Sequence, residues 1–491
     1  MDLYKKTALE IRDSILKKEI TAVEVTKNII KRIEQVEDEV KSFILFTPEL
    51  ALEQARLVDE KIAKGEDPGP LAGIPMALKD NICTEGIKTT CASKMLENFT
   101  PPYDATVTQR LREAGAILLG KCNMDEFAMG SSTEHSIFHA TKNPWDRTKV
   151  SGGSSGGSSA AVAAGEAYFT LGTDTGGSVR QPASFCGVVG LKPTYGLVSR
   201  YGVVSFASSL DQVGTLTKDV KDSALVLNTI VGHDEKDSTS YKGEKIDYLK
   251  DIQKGVQGLK IGVPKEFMEQ DLSPEVKKTF EDALDTLKGL GAQWESVSLP
   301  HSEYALGVYY IISSAEGSSN MSCYDGIRYG YRTEDFESLE ELYKKSRGEA
   351  FGPEVVRRIL LGTYVLSAGK YEPYYKKAMQ IRTLIREDFD RAFEKYDVLL
   401  SPTSLSPTYP LGIKTEDPLE GYFTDTATVP VNLAGLPALS IPAGFSKEGL
   451  PIGLQLIGKA FDEKTLLQAA YAFEQATDYH KRRPTIEREV E

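Results

Sequence analysis

The first 40 residues carry the spacing of amphipathic helices. Apolar side chains three or four positions apart share one face of a helix, and they recur here at Val25, Ile29, Ile33 and Val36. Two Thr-x-x-Glu sequences, which begin at Thr7 and Thr21, match the capping box that satisfies the first N–H groups of a helix. The pattern predicts two helices, and we expect residues 1–70 to form an N-terminal helical layer on the core.

Residues 71–232 alternate short apolar runs with helical patterns. One apolar run ends near Lys79; the other predicted elements are strands at 116–119 and 168–171 and helices at 104–113, 123–129 and 160–164. This alternation favours a parallel α/β sheet, in which ligand sites form at the carboxyl ends of the strands. Because Lys79 lies at such a strand end, we expect residues 71–232 to form the catalytic core.

The second half of the chain interrupts this alternation and then resumes it. Residues 301–396 are mostly helical in pattern and rich in tyrosine, which predicts an inserted helical subdomain. Residues 397–491 are predicted to return to the sheet, with strands at 397–400, 438–445 and 452–457 and a closing helix at 462–476.

Composition narrows the class of protein. The 491 residues include 58 basic and 71 acidic side chains, and the net charge of −13 repels polyanions, so we expect a partner to hold any nucleic acid. Five scattered cysteines without a C-x-x-C pair are typical of free thiols in a reducing compartment. No apolar run approaches the roughly 20 residues of a membrane span, and the first residues lack a signal-peptide core. We therefore expect a cytoplasmic protein that does not bind membranes.

Two runs of small residues lie within the predicted core, at 150–159 and 172–180. Their glycines let backbone N–H groups approach a ligand closely, and their serines supply hydroxyls that can attack it. Ser178 could attack a carbonyl group while neighbouring N–H groups stabilise the oxyanion that develops. The five histidines lie outside both runs, so a lysine has to be considered as the base.

Each of these features also has a structural interpretation. Glycine/serine runs are more often flexible linkers, and an isolated lysine is more often a solvated surface residue. His135 and His139 have the spacing of a zinc pair but lack the catalytic glutamate and a clear third ligand, so no metal is predicted. The runs lack the Gly-Lys-Ser/Thr sequence of a P-loop, so ATP binding by this chain is not predicted.

The two runs taken in order, at 152–158 and 172–178, resemble the amidase signature family. The resemblance implies an α/β fold with a large mixed, mostly parallel sheet, helices on both of its faces and a helical insertion. It also implies that residues 1–491 form a single domain of this family.

The family resemblance implies a Ser-Ser-Lys triad. Ser178 would be the nucleophile, Ser154 a proton bridge that follows a cis peptide bond, and Lys79 the base. The N–H groups assigned to the oxyanion hole are those of Thr175, Gly176, Gly177 and Ser178. A lysine can act as the base only if burial or nearby positive charge lowers its pKa.

The resemblance extends to the tRNA-dependent amidotransferase branch of the family, on segments 71–75, 123–132, 190–196, 208–212, 357–364 and 429–437. It implies a glutaminase that hydrolyses glutamine to glutamate and ammonia. Arg358 would pair with the α-carboxylate and Asp425 with the α-ammonium group, and Tyr309 would add a contact. Arg358 could instead pair with Glu354 one helical turn earlier, and residues 422–427 depart from the pattern of the branch.

The same resemblance implies partners. This chain would form a heterotrimer with amidotransferase subunits B and C, and a partner subunit would hold most of the tRNA and use ATP and Mg²⁺. No cofactor is expected in this chain itself. Ammonia would pass to the partner to amidate Glu-tRNA(Gln), with Asp-tRNA(Asn) left open as a second acceptor, in an ATP-dependent carbon–nitrogen ligase reaction. The alternatives are a free-standing amidase for small carboxamides and a non-catalytic scaffold.

Overall fold

The helices and strands of the protein come from a computed structural model, which describes residues 2–413 and 424–486. The strands are β1 (Phe43–Phe46), β2 (Pro75–Lys79), β3 (Ile117–Cys122), β4 (Lys142–Asn143), β5 (Asp146–Val150), β6 (Phe169–Asp174), β7 (Val189–Lys192), β8 (Gln212–Thr217), β9 (Lys260–Pro264), β10 (Gln293–Val297), β11 (Val398–Pro402), β12 (Ala438–Phe445) and β13 (Pro451–Gly458). Residues 487–491 of the predicted C-terminal return, and Tyr422 and Phe423 near Asp425, lie outside the described residues.

The α-helices alternate with these strands. They are α1 (Ala8–Leu16), α2 (Ala22–Val40), α3 (Pro48–Lys64), α4 (Thr106–Glu113), α5 (Gly156–Ala164), α6 (Arg180–Cys186), α7 (Val220–Ile230), α8 (Lys265–Met268), α9 (Pro274–Gly289), α10 (Ala305–Asn320), α11 (Leu339–Ala350), α12 (Pro353–Leu366), α13 (Lys377–Lys395), α14 (Val429–Ala434) and α15 (Glu463–Ala476). None of these helices is both long enough and apolar enough to span a membrane.

The N-terminal layer contains both predicted helices and, in addition, strand β1 and helix α3. Thr7 and Thr21 each form a complete capping box at the start of α1 and α2. The predicted apolar stripe of α2 is buried. Strand β1 and helix α3 follow in the segment for which the apolar spacing predicted no further elements, and β1 pairs with β3 at the edge of the sheet.

In the described residues, eleven strands form one sheet in the order β1-β3-β2-β6-β8-β7-β12-β13-β11-β9-β10. Strand β2 pairs in parallel with β3 and with β6 near one edge, and β9 pairs in parallel with β11 and with β10 at the other. The strands between these groups pair antiparallel, and β12 and β13 form a hairpin. The expected large mixed sheet is therefore present, with its parallel strands in two groups.

Alternate residues of the strands pack on opposite faces of the sheet. Leu400 belongs to the apolar core that contains α1, α7 and α15, whereas Leu399 belongs to the core that contains α10, α12 and α13. Helices thus cover both faces, as predicted. Helices α10 to α13 lie between β10 and β11, so the predicted helical insertion is confirmed. The assignment of 1–491 to a single domain stays a prediction.

The predicted helix at 123–129 is wrong. This segment forms only a short 3₁₀ turn, Glu126–Ala128, in which Phe127 and Ala128 have positive φ values of 49° and 62°. Tertiary contacts override the helical pattern here, since the N–H of Phe127 donates to the carbonyl group of Cys91 instead of to a helical partner. All five cysteines carry free thiols, in agreement with the prediction.

Candidate active site

Lys79 is the last residue of β2 and is fully buried. Strand β6 runs parallel to β2, with Leu171 beside Leu78, so both strands end at the same edge of the sheet. The first small-residue run leads into α5, and the second connects β6 to α6. Both runs therefore lie at the carboxyl edge where Lys79 ends its strand, as the strand pattern predicted.

The residues assigned to the triad are neighbours in the structure. The Nζ atom of Lys79 lies 2.7 Å from Oγ of Ser154 and 2.9 Å from Oγ of Ser155. The N–H of Ser155 donates to the carbonyl oxygen of Ser178 at 3.2 Å, which joins the two runs. The Gly153–Ser154 peptide bond is cis, as the resemblance implied. Ser155 is a contact of the lysine that the sequence analysis missed.

Burial decides the protonation state of Lys79. Removal from water disfavours the charged amine and lowers the pKa of Lys79 to about 7. The carboxylates of Asp125, Asp174 and Asp211 favour the charged form, but burial outweighs them. Near neutral pH a large share of Lys79 is therefore uncharged, and this is the form that can accept a proton from Ser154.

Asp174, the last residue of β6, organises the loop that precedes Ser178. Its Oδ1 atom accepts the N–H of Gly177 at 2.9 Å, and its Oδ2 atom accepts the N–H of Val179 at 3.1 Å. Burial alone would raise the pKa of Asp174, but the ion pair with buried Arg180 holds it below its usual range. Of the four N–H groups assigned to the oxyanion hole, that of Gly177 is thus already bonded to Asp174.

A segment of the C-terminal return closes against this loop at Thr428. The Thr428 hydroxyl donates to the carbonyl oxygen of Gly176 at 2.7 Å. Gly177 has a φ of +139°, and a side-chain carbon there would lie 2.3 Å from Oγ of Thr428, so this position requires glycine. Arg180 donates to the carbonyl oxygen of Thr428 at 3.1 Å across 248 positions of sequence. No local pattern predicted these contacts.

Tyr309, on α10, packs on the other side of the same loop. A side-chain carbon at Gly176 would lie 2.6 Å from Cζ of Tyr309, and the tyrosine is buried. Burial raises the pKa of Tyr309, so its hydroxyl stays protonated and can donate a hydrogen bond. The residue predicted to contact the substrate therefore lies against the predicted oxyanion loop.

Arg358, on α12, makes the local ion pair that the sequence left open and also faces the site. Its Nε atom donates to Oε1 of Glu354 at 2.7 Å, and both side chains are buried. The guanidinium carbon lies 4.4 Å from the ring centroid of Tyr310, a cation–π contact that fixes the guanidinium plane. Its charge opposes the rise in pKa of both Tyr309 and Asp425. The ion pair with Glu354 therefore orients Arg358 within the site.

Asp425 lies in the segment that leads to Thr428. Its carbonyl oxygen accepts the N–H of Thr428 at 3.1 Å and lies 3.0 Å from the Thr428 hydroxyl oxygen. Although the residue retains partial exposure, burial of its carboxyl group raises the pKa of Asp425 to about 7, and Arg358 opposes this rise. A cationic group bound beside Asp425 would favour the carboxylate form.

The two histidines with zinc-like spacing do not lie on one helical face. Both are in the irregular segment that follows Glu126–Ala128, where the N–H of His135 donates to Asp125 and the His139 ring contacts the side chain of Asn123. Within residues 2–413 and 424–486, no group of three or more His, Cys, Asp or Glu side chains is arranged to hold a metal ion.

The fold and this site define a class of protein. The model of the Amidase family matches residues 24–467, and the chain belongs to that family. It is 59% identical over 486 residues to the glutamyl-tRNA(Gln) amidotransferase A subunit of Carboxydothermus hydrogenoformans, covering 99% of this chain and 100% of that protein. The corresponding protein of Moorella thermoacetica, which bears the same name, is 60% identical and covers 99% of each chain. The crystal structure of the equivalent Thermotoga maritima protein matches with a TM-score of 0.82 and 43% identity, covering 99% of this chain and 98% of that one.

Proposed function

We propose that this chain is the glutaminase subunit of a tRNA-dependent amidotransferase, which hydrolyses glutamine to glutamate and ammonia. One observation carries the proposal: a buried lysine lies 2.7 Å from Ser154 beside the loop that contains Ser178, and the charges of Arg358 and Asp425 both act on Tyr309, which packs against that loop. A carbonyl-attacking site is thus combined with one cation and one carboxylate. This is the charge pattern that complements a free amino acid.

The chemistry follows from the protonation state of Lys79. Neutral Lys79 accepts the hydroxyl proton of Ser154 while Ser154 accepts that of Ser178, whose oxygen attacks the side-chain carbonyl carbon of glutamine. Backbone N–H groups of the loop hold the oxyanion. The proton then returns through Ser154 to the leaving nitrogen, the C–N bond breaks and ammonia departs. Water hydrolyses the resulting glutamyl ester by the same proton path.

The recognition groups act on the two ends of the α-amino acid. Arg358 pairs with the α-carboxylate, and Asp425 pairs with the α-ammonium group, which stabilises the ionised form of that carboxyl group. Arg358 and Asp425 thus form a clamp on the amino acid. Tyr309, which lies against the oxyanion loop at residues 175–178, donates a hydrogen bond to the bound substrate. Together they orient the side-chain amide toward Ser178 and reduce the entropic cost of the attack.

Partners follow from the names of the relatives, which are subunits of a larger enzyme. We propose that subunits B and C complete a heterotrimer in which the partner holds most of the tRNA and uses ATP and Mg²⁺. Ammonia from this chain then amidates Glu-tRNA(Gln), and Asp-tRNA(Asn) is a second acceptor to be tested. The net charge of −13 favours an assembly in which the partner, and not this chain, makes most of the contacts with tRNA.

Ammonia release tests the proposed function. The chain alone and the chain co-expressed with its partner subunits are each given glutamine, with and without Glu-tRNA(Gln) and ATP. We expect glutamine-dependent ammonia release in the assembled enzyme and a glutamyl ester on Ser178 detectable by mass spectrometry. Absence of both in the assembled enzyme would rule out a glutaminase.

A free-standing amidase for small carboxamides is the second candidate, because the triad alone needs no amino acid substrate. It predicts vigorous turnover of simple amides by the isolated chain. It also predicts that Arg358→Ala leaves that turnover unchanged, whereas the glutaminase requires Arg358.

A further inference from the structure

The helix that carries Arg358 packs along α10, and its start is hydrogen-bonded to the catalytic core through one buried carboxylate, that of Glu126. Its Oε2 atom accepts the N–H of Gly352, the residue before α12, at 2.8 Å. Its Oε1 atom accepts the hydroxyl of Ser93 at 2.5 Å. A side-chain carbon at Gly352 would lie 2.3 Å from Oε2 of Glu126, so the contact also requires the absence of a side chain.

The turn that contains Glu126 also contacts the catalytic serines. The N–H of Asp125 donates to the carbonyl oxygen of Ser154 at 3.2 Å. A side-chain carbon at Gly153 would lie 2.2 Å from the Asp125 carboxylate, so the turn packs directly under the cis peptide. Asp125 therefore bonds Ser154, and the next residue, Glu126, bonds the start of α12.

Packing makes this connection stiff. The Phe127 ring meets the Phe351 ring edge-on at 5.7 Å, and both are buried. From Gly352 the helix rises about 9 Å to Arg358, which the ion pair with Glu354 holds in orientation. A displacement at the start of α12 is therefore carried to the guanidinium group as a rigid movement.

We propose that Glu126 is a positioning residue that sets the distance between Arg358 and Ser178 and thereby favours glutamine over asparagine, which is one methylene shorter. The proposal rests on the glutaminase function proposed above. When Arg358 holds the α-carboxylate, only a side chain of the matching length brings its amide carbon to Ser178. A misplacement of about 1 Å can cost about 100-fold in rate, so a loosened α12 weakens the preference.

The experiment compares glutamine with asparagine in the assembled enzyme. Glu126→Ala removes the acceptor, Gly352→Ala pushes the same contact apart from the other side, and Glu126→Gln retains an oxygen that can accept the Gly352 N–H. We expect the first two variants to lower the glutamine-to-asparagine ratio of kcat/KM about tenfold or more, with the glutamine loss mainly in kcat because the amide is misplaced at Ser178, and Glu126→Gln to restore most of the ratio.

A second measurement separates positioning from general damage. Phenylmethylsulfonyl fluoride has no α-carboxylate or α-ammonium group, so its rate of labelling Ser178 reports on the triad alone. We expect this rate to stay within about threefold of the wild type in all three variants. Glu349→Gln is the matched control: Glu349 is an exposed carboxylate on the preceding helix that accepts the Tyr331 hydroxyl, and its loss should change neither readout.

The outcomes are distinct. A wild-type assembled enzyme that releases no ammonia from glutamine overturns the proposed function, and this inference with it. Active wild-type enzyme with an unchanged glutamine-to-asparagine ratio in Glu126→Ala and Gly352→Ala overturns this inference alone. Equal losses for both amino acids, accompanied by slower labelling of Ser178, would mean that Glu126 supports the catalytic core and not the clamp.

Discussion

The groups that we propose for catalysis and those that we propose for recognition of the substrate are built in different ways. Lys79, Ser154 and Ser178 come from one half of the chain and lie where parallel strands end, on loops that hydrogen bonds lock to the sheet. Tyr309 and Arg358 come from the helical insertion, and Asp425 comes from the irregular segment before α14. The chemistry is thus held by the sheet, whereas recognition is assembled from separate elements packed over it.

The two regions also handle charge differently. In the catalytic region one lysine is surrounded by carboxylates, and burial still lowers its pKa to about 7. In the recognition region the charge of Arg358 lowers the pKa of Asp425, yet burial outweighs it and raises that pKa to about 7. The catalytic region therefore needs no ligand to generate its reactive form. The recognition region gains its full charge when a bound ammonium group stabilises Asp425.

The largest effect is expected when Ser178 is replaced, and it should fall on the rate of reaction and not on the affinity for glutamine. Ser178→Ala removes the nucleophile, and we expect kcat for glutamine to fall by roughly 10⁴-fold or more. The affinity for glutamine, measured by calorimetry on the assembled enzyme, should stay within about threefold because the clamp is untouched. A large loss of affinity would show that the two regions are not separable.

Lys79 gives the next largest effect and a pH signature. Lys79→Ala should lower kcat by about 10³-fold. In the wild type the active form is the neutral amine, so the rate of labelling of Ser178 by phenylmethylsulfonyl fluoride should rise with pH, with its midpoint near pH 7. Glutamine turnover should rise over the same range, because Asp425 also ionises there.

Phenylmethylsulfonyl fluoride carries no charged groups, so its labelling of Ser178 separates the ionisation of Lys79 from that of Asp425. Asp425→Asn should leave the pH profile of Ser178 labelling unchanged while it weakens glutamine binding. A labelling profile that is flat between pH 6 and 9 would contradict the role of Lys79 as the base.

More of the contacts in the catalytic region than in the recognition region could be predicted from the sequence, for a physical reason. The triad lies in short loops whose glycines and serines are visible locally, and the strand ending at Lys79 has a clear apolar pattern. The contacts of Thr428 with Gly176 and of Glu126 with Gly352 join segments more than 200 positions apart, which no local pattern records.

Local patterns were also overridden by tertiary structure. Residues 123–129 were predicted to be helical, yet Phe127 and Ala128 have positive φ values and only a short 3₁₀ turn forms. The spacing of Arg358 and Glu354 predicted an ion pair, which the structure contains, but could not indicate that the same arginine also faces Asp425.

An effect of intermediate size is expected at Arg358, and the neighbouring Arg357 serves as its control. Arg358→Ala should lower kcat/KM for glutamine about 100-fold, mainly through KM, because a charge-assisted pair with the α-carboxylate is lost. Arg357 is the matched control, since it bonds the same Glu354 but its side chain is 48% exposed. Arg357→Ala should change kcat/KM by less than about threefold. Equal losses in the two variants would indicate that Glu354 and not the substrate is the relevant partner.

The smallest effect concerns stability beneath the catalytic region. Glu166, just after α5, is fully buried, and its Oε2 atom accepts the Ser42 hydroxyl at 2.5 Å; the same hydroxyl lies 2.9 Å from a Glu37 oxygen. Burial raises the pKa of Glu166 well above its usual range, and the Glu37 carboxyl group raises it further. The folded protein therefore holds a proton here that the unfolded chain releases above about pH 4.3.

The sign of the pH dependence follows from that proton. The stability that protonated Glu166 contributes is fully present below about pH 4.3 and is lost as pH rises through its raised folded pKa. Glu166→Gln cannot ionise, so its free energy of unfolding should fall less steeply between pH 5 and 8, by about 1 kcal/mol relative to the wild type. Exposed Glu60→Gln is the control for urea unfolding at each pH. Because the Glu166 carboxyl group bonds Ser42 of the N-terminal layer, the KM for glutamine should not change. A raised KM would mean that this buried carboxyl group is coupled to the recognition groups through α5.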